Sequence, residues 1–320
     1  MNENSTASTL RRHEKYDHLI AAAKSLQPIA TAVAHPCDET SLRGAVEAGE
    51  AGLIKPILVG PKDKIAAAAK QYSLNLGNIE IVDVPDSQAA AEKAVELVRT
   101  GKADLLMKGS LHTDELLSEV MKRETGLRTG RRVSHVFVMD VPGHAQTLFI
   151  TDAAVNIAPD LISKRDIIQN AIDLYAGLGL GIPKVAILSA VETVTPTIPS
   201  TIEAAALCKM ADRGQITGGE LDGPLAFDNA ISPEAARIKG IKSPVAGQAQ
   251  ILVVPDLEAG NMLAKNLTFL SHADAAGIVL GARVPIILTS RADHVRTRVA
   301  SCAVAALLRH SQMAKQPIRA

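Results

Sequence analysis

The chain of 320 residues contains no tryptophan, only three tyrosines and only four phenylalanines. Proteins that bind single-stranded nucleic acid use aromatic side chains as platforms on which bases stack. An excess of positive charge is missing too, because 34 Lys and Arg residues are balanced by 34 Asp and Glu residues. Binding to nucleic-acid phosphates requires such an excess. We therefore predict no nucleic-acid partner, and we expect any anion to be bound by local clusters of cations and by helix ends.

Cysteine is scarce and dispersed. Cys37, Cys208 and Cys302 stand far apart, with no C-x-x-C motif and no histidine cluster beside them. This pattern supports neither a disulfide framework nor a structural zinc site. We therefore predict that the protein holds no metal.

Long hydrophobic runs are also missing. The first residues contain no continuous apolar segment of the signal-peptide type. Gly, Pro or charged residues interrupt every apolar run before it reaches eighteen residues. We expect a soluble protein of the reducing cytoplasm that has no membrane partner.

Short apolar runs that alternate with longer segments of helical period dominate the first part of the chain. Each run is bounded by Gly, Pro, Asp or Ser, which end strands. This alternation is typical of βαβ units and predicts an α/β fold with a mainly parallel sheet and flanking helices. The predicted strands are residues 29–34, 56–59, 79–82 and 104–107.

The pattern changes between residues 123 and 143, where a polar, basic segment precedes two adjacent strand candidates, 136–141 and 147–150. No long helix fits between these candidates, so they could pair in the antiparallel direction. Alternation then resumes with strands at 185–188, 251–254, 277–280 and 285–289, and residues 218–232 are interpreted as a long loop.

We interpret the basic segment as a crossover between two lobes. The first lobe comprises residues 1–140 and 290–320, with the C-terminal helix returning to it, and the second comprises residues 141–289. Ligands of open α/β sheets bind beyond the carboxyl ends of strands, so we expect the active site in the cleft between the lobes.

The sequence PIILTSRADHVRTR predicts an anion site near the C-terminus. A strand ends at Ser290 and a helix begins directly after it, so unpaired N–H groups and the helix dipole face the end of the strand. Arg291 in the first turn is unfavourable for the helix unless an anion binds there. Ser290 and Asp293 could instead form a capping box, and the two interpretations are compatible.

Lys108 and Gly109 follow the predicted strand 104–107, and Thr113 could cap the next helix. A lysine at the carboxyl end of a strand, followed by glycine, suits a contact to phosphate with close backbone approach. The Walker spacing is absent, and a surface lysine before a turn explains the same letters.

Two aspartates, Asp222 and Asp228, lie six residues apart in the predicted loop. Paired carboxylates suggest metal binding or acid–base chemistry. Their spacing does not place them on one helix face, no third ligand is close in sequence, and turn formation explains Asp222. We therefore assign no metal to them and keep Asp228 as a candidate base.

Two further segments suggest ligand contacts. Gly260 and Asn261 lie one turn into a predicted helix, although neither favours helix, which suggests close approach of a ligand or of another backbone. A frayed first turn would also explain them. Arg128, Arg131 and Arg132 form a basic segment that could bind a nucleotide 3′-phosphate or could simply be solvated.

Taken in order, these segments resemble the phosphate acetyltransferase/phosphate butyryltransferase family, whose members move an acyl group between coenzyme A and inorganic phosphate. The resemblance extends over nearly the whole chain from about residue 29. It is carried by Met107-Lys108-Gly109 with Thr113, Thr151-Asp152-Ala153-Ala154 with Asn156 and Pro159, Lys209-Met210-Ala211-Asp212-Arg213-Gly214, Asp222-Gly223-Pro224 with Asp228, Pro255-Asp256-Leu257 with Gly260, Asn261 and Lys265, Gly281-Ala282-Arg283, and Ser290-Arg291.

The resemblance implies a two-lobed fold like that of the isocitrate/isopropylmalate dehydrogenases, a homodimer, and an active site in the cleft. Ser290 would contact the thiol or the acyl oxygen, Arg291 would hold the phosphoryl group, and no cofactor would be bound permanently because coenzyme A is a substrate. The substrate-binding residues that it implies are Lys108, Gly109, Thr113, Arg128, Asp222, Asn261, Lys265 and Arg283.

Two departures from the acetyltransferase branch concern the base and the acyl group. Thr297 stands where that branch has an aspartate proposed to act on the thiol, and Leu117-Ser118-Glu119 replaces a Leu-Arg-Pro motif. Asp228 and Asp293 remain candidate bases, although a thiol is partly ionised near neutral pH and a strong base is not required. The transferred group could be acetyl or butyryl.

Three other functions stay open. A phosphate acyltransferase that uses acyl carrier protein would need a basic docking face. A metal- and NAD-dependent decarboxylating dehydrogenase would need an Asp-x-x-x-Asp pair on one helix face, which the sequence lacks. A non-catalytic protein could bind an anion without releasing a thiol.

Overall fold

The structure is a computed structural model and describes residues 14–289 and 294–315. Ser290, Arg291 and Asp293 lie outside these residues. The strands are β1 (Ile29–Ala34), β2 (Ile54–Gly60), β3 (Glu80–Asp83), β4 (Leu105–Lys108), β5 (Ser134–Asp140), β6 (Leu148–Thr151), β7 (Lys184–Leu188), β8 (Glu220–Leu225), β9 (Ile251–Val253), β10 (Asp274–Leu280) and β11 (Ile286–Ile287). The helices are α1 (Glu14–Lys24), α2 (Glu39–Glu50), α3 (Lys62–Gln71), α4 (Ser87–Arg99), α5 (Thr113–Val120), α6 (Leu161–Gly177), α7 (Pro199–Asp212), α8 (Phe227–Ile231), α9 (Pro233–Ile238), α10 (Leu257–Leu270) and α11 (Val295–Lys315).

These strands form one continuous sheet in the order β3-β2-β1-β4-β11-β10-β5-β6-β9-β7-β8. The prediction of an α/β fold with a mainly parallel sheet is confirmed. The strand β10 pairs with β5 along its whole length and joins the two halves in this one sheet. The proposed lobe boundaries stay a prediction.

The sheet consists of two parallel groups that run in opposite directions. One group contains β3, β2, β1, β4 and β11, and the other contains β6, β9, β7 and β8. The central strands β10 and β5 pair antiparallel with each other and with their outer neighbours, which reverses the direction three times.

The register brings the carboxyl ends of both groups to the same level of β5. One row of paired residues crosses the centre of the sheet through Met107, Ile287, Ile278, Val136 and Thr151. In the strands nearest the centre, β4 ends one residue beyond this row, and β11, β6 and β9 end at it. The loops that follow both groups therefore leave the sheet close to its middle.

Most predicted elements are present, and the pairing of β5 with β6 is antiparallel, as their short connection allowed. The prediction of a long loop over residues 218–232 is wrong. This segment forms β8 and α8, and β8 pairs in parallel with β7 at the edge of the sheet. Gly223 and Pro224 argue against a strand in the sequence, but a strand at the edge of a sheet accepts both residues.

Helices pack on both faces of the sheet, and α11 is buried against one of them. Alternate residues of β5 face opposite sides: Val136 and Val138 belong to the apolar cluster that includes Ala303 and Val304 of α11. Of the helices in the described part of the chain, none combines the length and apolar character that a bilayer crossing requires.

Gly109 permits a close approach of the loop after β4 to the end of β1. A Cβ atom at this position would lie 2.3 Å from the Ala34 carbonyl oxygen and 2.6 Å from that of His35. We expect Gly109→Ala to lower the free energy of unfolding by about 2 kcal/mol, because backbone atoms cannot give way as a side chain can. Urea unfolding followed by circular dichroism measures the change.

Gly130→Ala is the matched control, because nothing lies within 4 Å of a Cβ atom there. Equal stability of the two variants would contradict this account of Gly109.

Candidate active site

A cavity of about 510 Å³ opens on the face of the sheet opposite α11, near the row where the two parallel groups end. Its wall is largely apolar and includes a few polar groups, which is the usual composition of a small-molecule site. The lining residues are Lys108, Leu111, His112, Thr113, His135, Phe137, Ala154, Asn261, Ala264, Lys265, Thr268, Phe269, Ala275, Leu288 and Thr289.

Lys108, the last residue of β4, is almost completely buried in the wall of this cavity. Its ammonium group lies 3.4 Å from the carbonyl oxygen of Gly109. The adjacent loop is tied to β1, because the Ser110 hydroxyl donates a 2.7 Å hydrogen bond to the carbonyl oxygen of His35. The predicted lysine is therefore held by two neighbouring strand ends, and a surface position for it is excluded.

Thr113 lines the cavity together with His112. The prediction that Thr113 caps α5 is wrong, because Thr113 is the first residue of the helix and His112 is the N-cap. The backbone N–H of His112 donates a 2.7 Å hydrogen bond to Glu115, which fixes the start of the helix. Hydrogen bonds from Ser87 and from this N–H lower the pKa of Glu115. The N-terminal end of α5 therefore faces the cavity, with its unpaired N–H groups nearby.

Asn261 and Lys265, one turn apart on α10, also line the cavity. The helix is capped by Asp256, which accepts a 2.8 Å hydrogen bond from the N–H of Ala259. A Cβ atom on Gly260 would lie 3.0 Å from the backbone carbonyl oxygen of Asp152, so the predicted close approach of another backbone at this glycine is confirmed. The frayed-turn alternative is not needed.

His135 and Thr289 are buried polar residues in the same wall. Within residues 14–289 and 294–315, neither ring nitrogen of His135 makes a hydrogen bond, and the hydroxyl group of Thr289 makes none either. An unpaired buried polar group lowers the free energy of unfolding by on the order of 1–3 kcal/mol, so two of them in one cavity indicate that a ligand binds there. Burial lowers the pKa of His135 to about 4, against the opposing effects of the Asp152 charge and the nearby Leu288 carbonyl.

The loop after β6 is organised around the buried carboxylate of Asp152. It accepts hydrogen bonds from the backbone N–H groups of Ala154, Val155 and Asn156, at 3.0 to 3.2 Å. The side chain of Asn156 continues the network to Arg132, whose Nε donates a 2.7 Å hydrogen bond to it. Asp152 therefore holds one side of the cavity in place.

Arg128 and Arg283 lie outside the main cavity, on two exposed segments that are linked by a bridge between Arg128 and Ala282. Within the described part of the chain, neither guanidinium makes an ion pair, whereas Arg131 pairs with Asp173. A separate cavity of about 260 Å³ is lined by Arg128, Arg131 and Arg132. The basic residues therefore form a second, exposed surface.

Asp222 and Asp228 do not line the main cavity. Asp222 lies on β8 and accepts a 2.8 Å hydrogen bond from the N–H of Gly223, while Asp228 lies on α8 with Nζ of Lys239 3.4 Å away. Within residues 14–289 and 294–315, no group of three or more His, Cys, Asp or Glu side chains could hold a metal ion. The roles predicted for these two aspartates stay predictions.

The structure thus brings together Lys108, Thr113, Asn261 and Lys265, and Thr289, the last described residue before Ser290 and Arg291, lines the same cavity. Sequence reasoning missed the polar pair His135 and Thr289. The only signal in the sequence is that a histidine interrupts an otherwise apolar strand, and this pattern is equally typical of a structural residue.

Comparison with solved structures identifies the class of protein. A branched-chain phosphotransacylase from Enterococcus faecalis V583 superposes with a TM-score of 0.78 at 32% sequence identity, covering 88% of this chain and 99% of that one. Both chains share a mixed α/β fold with a large, mostly parallel sheet.

Sequence comparison then identifies the family. Residues 87–306 match the family model described as phosphate acetyl/butaryl transferase. A phosphate acetyltransferase from Rhizobium meliloti is 74% identical over 302 residues, covering 94% of this chain and 96% of the relative. A phosphate butyryltransferase from Clostridium beijerinckii is 44% identical over 295 residues, covering 92% and 98%. The chain belongs to the phosphate acetyltransferase/phosphate butyryltransferase family.

The low pKa of His135 makes stability depend on pH. In the unfolded chain His135 takes up a proton below its ordinary pKa of 6.5, whereas in the folded protein it does so only near pH 4. Stability is therefore lost as the pH falls from 6.5 to about 4. Between pH 7 and pH 5 we expect this residue to remove about 1–2 kcal/mol of unfolding free energy. Urea unfolding of the wild type and of His135→Phe at both pH values measures the contribution by difference.

The variant should lose less stability than the wild type over this interval. An equal loss in both proteins would show that His135 does not resist protonation.

Proposed function

We propose that this protein transfers a short acyl group, acetyl or butyryl, between coenzyme A and inorganic phosphate. The observation that carries the proposal is the cavity lined by Lys108, by Asn261 and Lys265 of α10, and by Thr289, which directly precedes Ser290 and Arg291 in the sequence. Family membership supports the same reaction, since its members named above are phosphate acyltransferases.

In one direction the thiolate of coenzyme A attacks the carbonyl carbon of an acyl phosphate. A C–S bond forms, the carbonyl oxygen takes up negative charge, and collapse of this intermediate breaks the C–O bond to phosphate. Phosphate leaves with the bonding electron pair, and the thiol proton passes to solvent or to a base. Cations stabilise the departing phosphate, and hydrogen-bond donors stabilise the oxyanion.

Lys108 and Arg291 are the proposed phosphate ligands, with Ser290 beside the thiol or the acyl oxygen. The buried position of Lys108 supports this role, because a charge shielded from water acts more strongly on a bound anion. Thr113, Asn261 and Lys265 would contact the part of coenzyme A that enters the cavity. Gly109, next to Lys108, is proposed to bind substrate through its backbone.

Arg128 and Arg283 are proposed to bind phosphate groups of coenzyme A outside the cavity. Their exposed guanidinium groups suit the anionic end of a long substrate whose thiol end lies inside. Asp222 is proposed to bind substrate and Asp228 to act as a base, in competition with Asp293.

The quaternary structure and location are also proposals. We propose a cytoplasmic homodimer, with two lobes arranged as in the isocitrate/isopropylmalate dehydrogenases and the active site in a cleft between them. The meeting of both parallel groups at the level of β5 supports this position for the cleft.

Replacement of Arg291 tests the proposed phosphate site. We expect Arg291→Ala to lower kcat for phosphate-dependent thiol release from acetyl-CoA by at least 100-fold, because a cation that stabilises the leaving or attacking phosphate is lost. A thiol-trapping assay measures the rate. The control is Arg99→Ala on α4, an exposed arginine that does not line the cavity.

Near-normal turnover in Arg291→Ala with an unchanged melting temperature would contradict the proposed site.

The acyl group is tested by comparing acetyl-, propionyl-, butyryl- and octanoyl-CoA at saturating phosphate. We expect turnover of the first three, with octanoyl-CoA slower by at least tenfold, since discrimination between chain lengths in an apolar pocket is of this order. Thiol release without phosphate provides the baseline. Preference for long acyl groups on acyl carrier protein would favour the alternative acyltransferase.

A further inference from the structure

His135 lines the cavity, and within residues 14–289 and 294–315 its ring nitrogens make no hydrogen bond of good geometry, although the Leu288 carbonyl group lies nearby. It is the second residue of β5, faces the same side as Phe137, and contacts the Phe137 ring edge-on at a centroid distance of 4.4 Å. Burial is complete, and neither ring nitrogen is hydrogen-bonded within the described residues.

Space for this imidazole is made by Gly277 of β10. A Cβ atom there would lie 2.9 Å from Nε2 of His135 and 2.2 Å from the carbonyl oxygen of Leu288. Gly277 therefore lets the imidazole and the chain that leads from β11 to Thr289 lie side by side. A polar ring placed so tightly, with neither nitrogen hydrogen-bonded to the part of the chain that the structure describes, is unusual for a residue that only fills space.

The charge state of the imidazole indicates whether His135 can act as a base or as a hydrogen-bond donor. Because burial lowers the pKa of His135, the ring is neutral near pH 7 and carries one N–H donor and one acceptor. As a base it would be too weak to hold the proton of a thiol whose ordinary pKa is about 8.5. As a donor to an oxygen that becomes negative it is well suited, since a neutral imidazole can polarise a carbonyl group.

The residues around His135 indicate whether its imidazole contacts a phosphate oxygen or the acyl carbonyl oxygen. Lys108 provides a positive charge in the same wall, which suits phosphate, whereas the Phe137 ring that contacts the imidazole is apolar, as are the cavity-lining residues Ala275 and Leu288. An uncharged acyl group fits these apolar neighbours, and a phosphate does not.

On this basis, and resting on the proposed acyl transfer, we propose that His135 donates a hydrogen bond to the carbonyl oxygen of the acyl group. No proton is transferred in this step. The N–H···O hydrogen bond strengthens as the oxygen becomes negative in the tetrahedral intermediate, and relaxes when the carbonyl group is restored.

Substitutions of His135 distinguish hydrogen-bond donation to the acyl oxygen from simple packing. We expect His135→Phe, which keeps a ring but removes the donor, to lower kcat about 100-fold, with the KM for phosphate changed less than threefold. His135→Gln retains an N–H donor and should recover at least tenfold of the loss. The matched control is His18→Gln on α1, an exposed histidine outside the cavity wall, which should keep wild-type rates.

The wild-type rate distinguishes the two proposals. If the wild type releases no thiol from any acyl-CoA, the proposed function fails. If it is active and folded His135→Phe stays within threefold of it, or if glutamine gives no recovery, the role of His135 is overturned while acyl transfer stands.

A second readout uses the wild-type protein and does not depend on the folding of a variant. Nitrogen-15 spectra of histidine-labelled protein would be recorded with free coenzyme A, with inorganic phosphate, and with a thioether ketone of coenzyme A that presents a carbonyl group but cannot transfer it. The His135 resonances, assigned by their absence in His135→Gln, should shift with the ketone only. A shift with phosphate alone, or none with the ketone, would overturn the proposal.

Discussion

The pairing of β5 with β10 is the constraint on which the rest of the structure depends. Seven residue pairs, from Ser134 with Leu280 to Asp140 with Asp274, join two parallel groups that would otherwise be separate sheets. Their register also sets the level at which β4 and β6 end, and hence where the loops that line the cavity begin. A shift of one residue would turn His135 and Phe137 to the opposite face, toward α11.

The two faces of β5 serve different purposes. Val136 and Val138 pack into the apolar cluster beneath α11, whereas His135 and Phe137 face the cavity. Because every second residue of β5 packs in the core, the strand cannot move much, and the residues that it contributes to the cavity wall are held rigidly. Polar groups that are fixed before the substrate arrives need little reorganisation during the reaction, which is the main source of electrostatic catalysis.

The sequence predicted what local patterns determine. The bounds of β1 match those expected, and β5 and β6 pair antiparallel because their connection is too short for a crossover helix. It did not predict β8, since its glycine and proline are acceptable only at a sheet edge, and edge position depends on the whole strand order. The unpaired state of His135 depends on Gly277 and Leu288, more than a hundred residues away, so no local pattern could show it.

The strand order also affects how the chain acquires its structure during synthesis. Strands β10 and β11 come from the last fifth of the sequence, yet they lie in the middle of the sheet between β4 and β5. On the ribosome, β1 to β4 can assemble early, while their inner edge stays without a partner until nearly the whole chain has emerged. Such an edge invites pairing with other chains, so a nascent chain of this topology depends on rapid completion or on chaperone protection.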